Sequence, residues 1–343
     1  MTGQDLEHIL EHTRGLWSDV RGKRVFITGG TGFLGRWLLE SFAYINRELY
    51  LKAGLTVLSR NPDDFIRRAP ALGRDPAISF CRGDVRDFTF PEADHHFIIH
   101  GAAAVSAGLN EENPQAMFDT IVRGTARTLE FAAKTRCEKF LFISSGAVYG
   151  KQPADMSHIP ETYSGGPDTM EPGSAYGEGK RAAELLCAIH HRRHPGTEPK
   201  IARCFATVGP HMSLDSHLAM GNFIRDAAAG GPIAVNGDGT PLRSYLYAAD
   251  LAVWLWTILF MARPCRPYNV GSAEPVTILE TARAVAGLVT PPPAVKVARP
   301  PGGAPPQRYV PDVSRAEQEL GLSQKINLNE AITRTMAFTK GAQ

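Results

Sequence analysis

Short apolar runs recur along the first two thirds of the chain, each closed by glycine, proline or polar residues. Residues 24–28, 55–58, 78–80, 97–100, 139–143 and 200–205 read as six buried strands. Helical periodicity lies between them, beginning at Trp37-Leu38-Leu39 and again over 114–135 and 174–194. Strands alternating with helices imply a parallel sheet with right-handed crossovers. Ahead of the first strand, Leu6, Ile9, Leu10 and Leu16-Trp17 recur at helical spacing and predict a short amphipathic helix. A loop rich in proline, glycine and aspartate covers 151–173. Past 205 the pattern is less regular, with turns at Gly230-Gly231-Pro232 and Gly237-Asp238-Gly239. Many prolines make 291–311 an extended loop. The chain therefore divides into a helical extension (1–22), a main parallel-sheet domain (23–205) and a smaller cap (206–343), with elements interleaving between the last two.

Composition narrows the setting. The 43% hydrophobic and 21% charged fractions and the net charge of +2 suit a globular protein and carry no nucleic-acid footprint. The five cysteines (Cys81, Cys137, Cys187, Cys204, Cys265) show no metal or disulfide spacing and suit reduced thiols. The longest apolar run, 251–262, is too short for the ~20 residues of a membrane span. The first 22 residues lack a basic segment followed by an apolar core, so no signal peptide and a cytoplasmic location are expected.

Chemistry enters at the first strand's exit. Gly29-Gly30-Thr31-Gly32-Phe33-Leu34-Gly35 places glycines 29, 32 and 35 between strand and helix, where missing Cβ atoms permit a tight turn and close approach of a pyrophosphate. The helix that follows presents free N–H groups to phosphate oxygens. The second strand ends in Ser59-Arg60-Asn61 in place of the acid that grips an NAD ribose. A hydroxyl and a guanidinium suit a 2′-phosphate, which favours NADP(H) and leaves NAD(H) possible; a purely surface role is the other reading of Arg60. Further on, Tyr176 and Lys180 lie one helical turn apart, and Ser145 ends an apolar strand. A phenol titrating near ~10 needs a stabilised anion to exchange protons at neutral pH. A cation on the same helix face can supply that stabilisation.

Taken together, these residues make the chain resemble the extended short-chain dehydrogenase/reductases, in particular their nucleotide-sugar epimerase/dehydratase/reductase group. The resemblance runs from about 22 to 335 through the glycine turn, Gly83-Asp84-Val85, His100-Gly101-Ala102-Ala103, Ser144-Ser145-Gly146-Ala147-Val148-Tyr149-Gly150, Tyr176-x-x-x-Lys180 and Tyr268-Asn269-Val270-Gly271. It implies a Rossmann-type doubly wound α/β fold with a C-terminal α/β substrate-binding cap. It also implies that Asp84 and Val85 contact the adenine and that Ala102 and Ala103 border the cofactor. Ser145 would bond the reacting sugar oxygen, Tyr176 would be the acid-base, and Lys180 would hold the nicotinamide ribose and lower the Tyr176 pKa. Arg243, Arg299 and Arg308 are implied for the nucleotide diphosphate, and Asn222 and Phe223 for covering the sugar nucleotide. Helix-cap and surface-charge roles are the alternatives for Asn222 and Arg308. Helices 114–135 and 174–194 resemble those that pair relatives into homodimers.

Departures from the pattern narrow the reaction. Relatives that dehydrate carry an Asp-Glu pair after the catalytic hydroxyl, and those that make UDP-xylose keep a Glu at the second position; this chain has Gly146 and Ala147. The family's Asn in Arg-x-Phe-Asn is Ala206, that in Asn-x-x-Gly-Thr is Ile121, and the Ser before the lysine is Gly179. Dehydration is therefore not expected. The leading expectation is reduction of a nucleotide-linked 4-keto sugar by hydride transfer at C4. The rivals are a C4 epimerase with tightly held NAD and a non-catalytic dinucleotide sensor. Tyr149 is expected to pack, not to react.

Overall fold

The computed structural model describes residues 1–103, 112–215, 218–303 and 305–341. Seven strands form one parallel sheet: β1 (Arg24–Thr28), β2 (Gly54–Ser59), β3 (Ile78–Arg82), β4 (Phe97–His100), β5 (Lys139–Ser145), β6 (Glu198–Cys204) and β7 (Pro267–Val270), in the order β7-β6-β5-β4-β1-β2-β3. The order reverses between β1 and β4, and the crevice beyond the strand ends at such a reversal is where α/β sheets bind ligands. Register aligns Thr28 with His100 and His100 with Phe142, so β5 runs on to Ser145 beyond its neighbour's end. The seventh strand comes from beyond residue 205, one of the interleaved elements.

Side chains alternate across the sheet, as a pleated strand requires. Phe26, Ile98, Phe140 and Phe142 point to a layer formed by α3 (Pro114–Lys134) and α4 (Ala175–Arg193). Val25, Ile27, Phe97 and Ile99 point to the opposite layer. That layer includes α1 (Gly3–Thr13), α2 (Phe33–Glu48) and α6 (Ala248–Met261). α6 is apolar on every side because it is enclosed between the sheet and the N-terminal helix, the arrangement expected of an all-round apolar helix. Among the described residues no helix is long and apolar enough to cross a membrane.

The N-terminal extension is part of this core. After α1 the chain turns into a 3-10 helix (Arg14–Val20) that seats Trp17, fully buried, edge-on to Trp256 at 4.9 Å between ring centroids. Burying one such side chain contributes on the order of 2–3 kcal/mol. The buried Asp5 carboxylate accepts from Tyr247 at 3.1 Å and Arg334 at 3.0 Å, tying this extension to the C-terminal helix Leu328–Gly341.

The cap is built of small patches. Leu242–Arg243 lies between Val276–Thr277, antiparallel, and Arg308–Tyr309, parallel, and Ile233–Val235 pairs with Val295–Val297. The proline-rich segment is thus more than a loop: its extended backbone completes two sheet edges that the pattern alone leaves unassigned. Helix α5 (Ala219–Ala228) packs against Ile233–Val235 and the helix Ile278–Gly287.

Candidate active site

At the β1 exit Gly29 has φ +74°, and a Cβ there would lie 2.6 Å from the Gly101 carbonyl group. A Cβ on Gly35 would lie 2.2 Å from the Gly29 oxygen. The turn is therefore folded flush against the β4 exit, where Ala102 and Ala103 follow. Beyond it Thr31 is half-buried and Gly32 exposed, Phe33 and Leu34 pack partly against the core, and α2 begins at Phe33 with its first N–H groups at this turn. Thr28 Oγ1 accepts from the Ala102 N–H at 3.1 Å and pairs with His100 Nδ1 at 2.7 Å, while His100 Nε2 pairs with Thr125 Oγ1 at 2.9 Å. Burial, reinforced by the Lys180 charge, lowers His100 to about 3. A neutral imidazole thus latches β1, β4 and α3 together under the crevice.

At the β2 exit, Ser59 is buried and its Oγ accepts from the Asn61 N–H at 3.3 Å, while Arg60 is exposed. Arg82 donates to the Arg60 carbonyl at 3.4 Å and is paired with Asp63. Arg86 grips Asp84 through two N–H groups at 2.8 and 3.0 Å and holds its carboxyl below the usual range. Val85 is buried against Gly124.

Ser145, Tyr176 and Lys180 come together where β5 ends and α4 begins. Ser145 caps a short 3-10 turn (Gly146–Tyr149), its Oγ accepting from the Ala147 N–H at 3.1 Å. Lys180 donates to the Ile143 carbonyl at 2.7 Å, with its Nζ 5.9 Å from the Tyr176 ring centroid; burial pulls its pKa to about 8. Burial raises the Tyr176 phenol and the Ser145 hydroxyl pulls it back. The ammonium is held by a backbone carbonyl, and desolvation of the phenolate is the larger effect.

Two departures prove to be one packing change. A Cβ at Gly179 would lie 3.3 Å from Ile121 Cδ1, so the bulk gained on α3 faces the bulk lost on α4. Tyr149 packs as expected: its O–H donates to Asn269 Oδ1 at 2.7 Å and accepts from Arg203 at 2.9 Å. Arg203 also forks onto Glu184 at 3.0 and 2.6 Å, and Glu184 accepts from Ser144 at 2.6 Å. This network braces the β5 end from below, and no local pattern in the sequence marks it.

The cap contributes unevenly. Arg243 and Tyr309 are register partners, as are Leu242 and Arg308. Tyr309 reaches the floor of the crevice, where a Cβ at Gly146 would lie 2.6 Å from its Oη and 2.7 Å from Phe205 Cζ. Nothing in the sequence marks Tyr309, since its importance depends on strand register. Arg299 is exposed, its N–H donating to Gly237 at 3.3 Å. Phe223 is buried in the core, leaving Asn222, which accepts from Arg225 at 3.3 Å, as the polar member of that pair.

Known proteins share this family pattern and fold. The pattern of the NAD dependent epimerase/dehydratase family matches residues 25–271. UDP-glucuronic acid decarboxylase 6 of Arabidopsis thaliana is 32% identical over 311 residues, covering 90% of this chain and 86% of that protein. The UDP-glucose 4-epimerase of Thermus thermophilus, in complex with NAD, superposes with TM-score 0.75 at 25% identity, over 93% of this chain and 100% of that one. The UDP-glucose 4-epimerase of Thermotoga maritima, with UDP-glucose, superposes with TM-score 0.77 at 20% identity, over 93% and 99%. With its glycine turn, its Ser145, Tyr176 and Lys180 and its seven-stranded sheet, the chain belongs to the NAD-dependent epimerase/dehydratase family and has the extended short-chain dehydrogenase/reductase fold.

Proposed function

We propose that this protein transfers hydride at C4 of a nucleotide-diphosphate sugar, acting as a reductase of a 4-keto sugar. The observation that carries the reading is the meeting of Ser145, Tyr176 and Lys180 at the sheet's carboxyl edge, beside Gly146 and Ala147, which transfer no protons. A nicotinamide dinucleotide fits the Gly29–Gly35 turn, whose Cβ-free surface leaves room for a pyrophosphate, and when bound it supplies or accepts the hydride. The chain's own residues handle the oxygen. Tyr176 protonates the forming alkoxide, Ser145 donates to it, and Lys180 balances the tyrosinate left behind. Ser59 and the exposed Arg60 favour a 2′-phosphate, hence NADP(H) over NAD(H). Arg243, which shares its face of the short strands with Tyr309, suits the sugar diphosphate, while Arg308, one register position away, pairs with Leu242 and Arg299 stands at the rim.

A second reading has its own support. The decarboxylase relatives reach 32% identity over nine tenths of the chain. Oxidation at C4 would use the same three residues and would make a 6-carboxylate a β-keto acid, which loses carbon dioxide readily. Ala147, unable to return a proton to C5, counts against it. A homodimer through α3 and α4 is part of the proposal, favoured by Leu185 and Ile189, exposed one turn apart on α4. A monomeric mass by light scattering would exclude it.

One experiment separates the readings. The protein is incubated with UDP- and dTDP-linked sugars, including 4-keto sugars and UDP-glucuronic acid, with absorbance followed at 340 nm and products read by mass spectrometry. Stoichiometric NADPH consumption with a 4-keto sugar supports the reductase. Release of carbon dioxide from UDP-glucuronic acid, or epimerisation without added cofactor, overturns it.

A further inference from the structure

A row of polar side chains crosses the carboxyl end of the sheet, and no step of the hydride-transfer scheme uses it. Register sets Ser144 of β5 opposite Arg203 of β6, and Arg203 opposite Asn269 of β7. Register partners share a face of the sheet, so the three side chains stand on one side. Glu184 reaches this row from α4, where it follows Tyr176 and Lys180 at intervals of four residues and lies on their face of the helix.

The bonds in this row are short and converge on one ion pair. Ser144 Oγ donates to Glu184 Oε1 at 2.6 Å. Arg203 forks onto the same carboxylate through Nε at 3.0 Å and Nη2 at 2.6 Å, and its Nη1 donates to the Tyr149 hydroxyl at 2.9 Å. That hydroxyl donates in turn to Asn269 Oδ1 at 2.7 Å. The Arg203 and Glu184 side chains are only 14% and 13% exposed. An apolar pair of similar volume would hold a core at least as well as a buried ion pair, so stability alone gives little reason for these charges here. What a forked pair adds is direction, since its bonds fix the groups they touch in one geometry.

The groups so fixed lie on either side of Ser145. Ser144 precedes it directly, and Tyr149 closes the 3-10 turn that Ser145 caps. Lys180, donating to the Ile143 carbonyl at 2.7 Å, adds a further stitch between α4 and β5 one residue before Ser144. The other carboxylate near this row is committed elsewhere: Glu161 accepts from the Asn269 N–H at 2.9 Å and pairs with Arg315 at 3.7 Å. We propose that Glu184 and Arg203 are positioning residues for Ser145: by gripping Ser144 and Tyr149 together, they hold the turn between them, and with it the Ser145 hydroxyl, in one place relative to Tyr176 and Lys180. The effect on turnover rests on the hydride-transfer reading of this site; the clamp itself does not.

The test uses Glu184→Gln, which keeps the shape and removes the charge, and Ser144→Ala, which removes one bond and leaves the ion pair intact. Ser144→Ala carries the test alone if Glu184→Gln does not fold. Amide exchange read by mass spectrometry over residues 144–150 is expected to quicken about tenfold in Glu184→Gln and about threefold in Ser144→Ala, with residues 24–28 unchanged. With NADPH and dTDP-4-keto-6-deoxyglucose, kcat per folded molecule falls by the same factors while KM and NADPH affinity stay within about twofold. Placed on a Ser145→Ala background, Glu184→Gln lowers kcat by no more than about twofold further, because the clamp acts through the hydroxyl already removed. Unaltered exchange over 144–150 overturns the proposal. So does a full tenfold further loss on the Ser145→Ala background, which a role independent of Ser145 would give. Quickened exchange in a protein that turns over no nucleotide sugar would remove the functional reading and leave the clamp standing.

Discussion

The two halves of the crevice are built on different principles. The half around the glycine turn is made of consecutive strand ends: Thr28, Ser59 and His100 each close a strand of the same sheet. The half made by the cap draws on segments far apart in the chain, at 242–243, 276–277 and 308–309, joined by pairs of only two residues. A wall set by a long sheet is rigid and can be read from local motifs. One set by short pairings can bring a new group into the site with little change in the fold, and Tyr309 above Gly146 is the instance here.

Substitutions can sharpen this contrast. The largest effect is expected from Tyr176→Phe, which joins both halves in the reaction. Removing its proton should lower kcat by about 10²–10⁴-fold while cofactor affinity, measured by fluorescence titration, stays within about twofold. Full turnover in this variant would end the assigned mechanism. An intermediate effect is expected on the rigid side. Arg60→Ala should weaken NADP(H) binding by about tenfold and leave NAD(H) binding unchanged, because only the 2′-phosphate loses a charge-assisted partner. Equal weakening of both would make Arg60 a stacking or surface residue instead.

The smallest effect tests the latch beneath the crevice. His100 is neutral in the fold, with its pKa lowered from 6.5 to about 3 by burial and the Lys180 charge. As pH falls from 6.5 toward 3, the unfolded chain takes up a proton that the folded chain refuses. Stability from this group is therefore complete above 6.5 and lost progressively below it. His100→Asn should remove up to about one proton from the slope of unfolding free energy against pH in that window, read by urea denaturation at several pH values. An unaltered slope would mean that other groups carry the acid sensitivity.

Much of the rigid half was legible beforehand. Apolar runs marked six of the seven strands, and the glycine spacing located the turn whose Gly29 has a positive φ. Ser145, Tyr176 and Lys180 were also legible, because a strand end and one helical turn fix their relative positions locally. The cap was not legible to the same degree. Phe223 looked like a ligand-facing residue and packs in the core, since the helical register of α5, not residue type, decides which side is buried. Arg299 stands at an exposed edge, while Arg308 pairs with Leu242 and it is Tyr309 that the register sets opposite Arg243.

The sequence by itself determined the parallel sheet, the glycine turn and the placing of Ser145 at a strand end and of Tyr176 and Lys180 on one helix, because each depends on side chains within a few positions of one another. Tertiary structure alone decided what stands next to Ser145. Gly146 read as a lost acid; in the fold it is the space that admits Tyr309. No local pattern encodes that meeting, for it requires a two-residue strand to pair in one register with a partner more than sixty residues away.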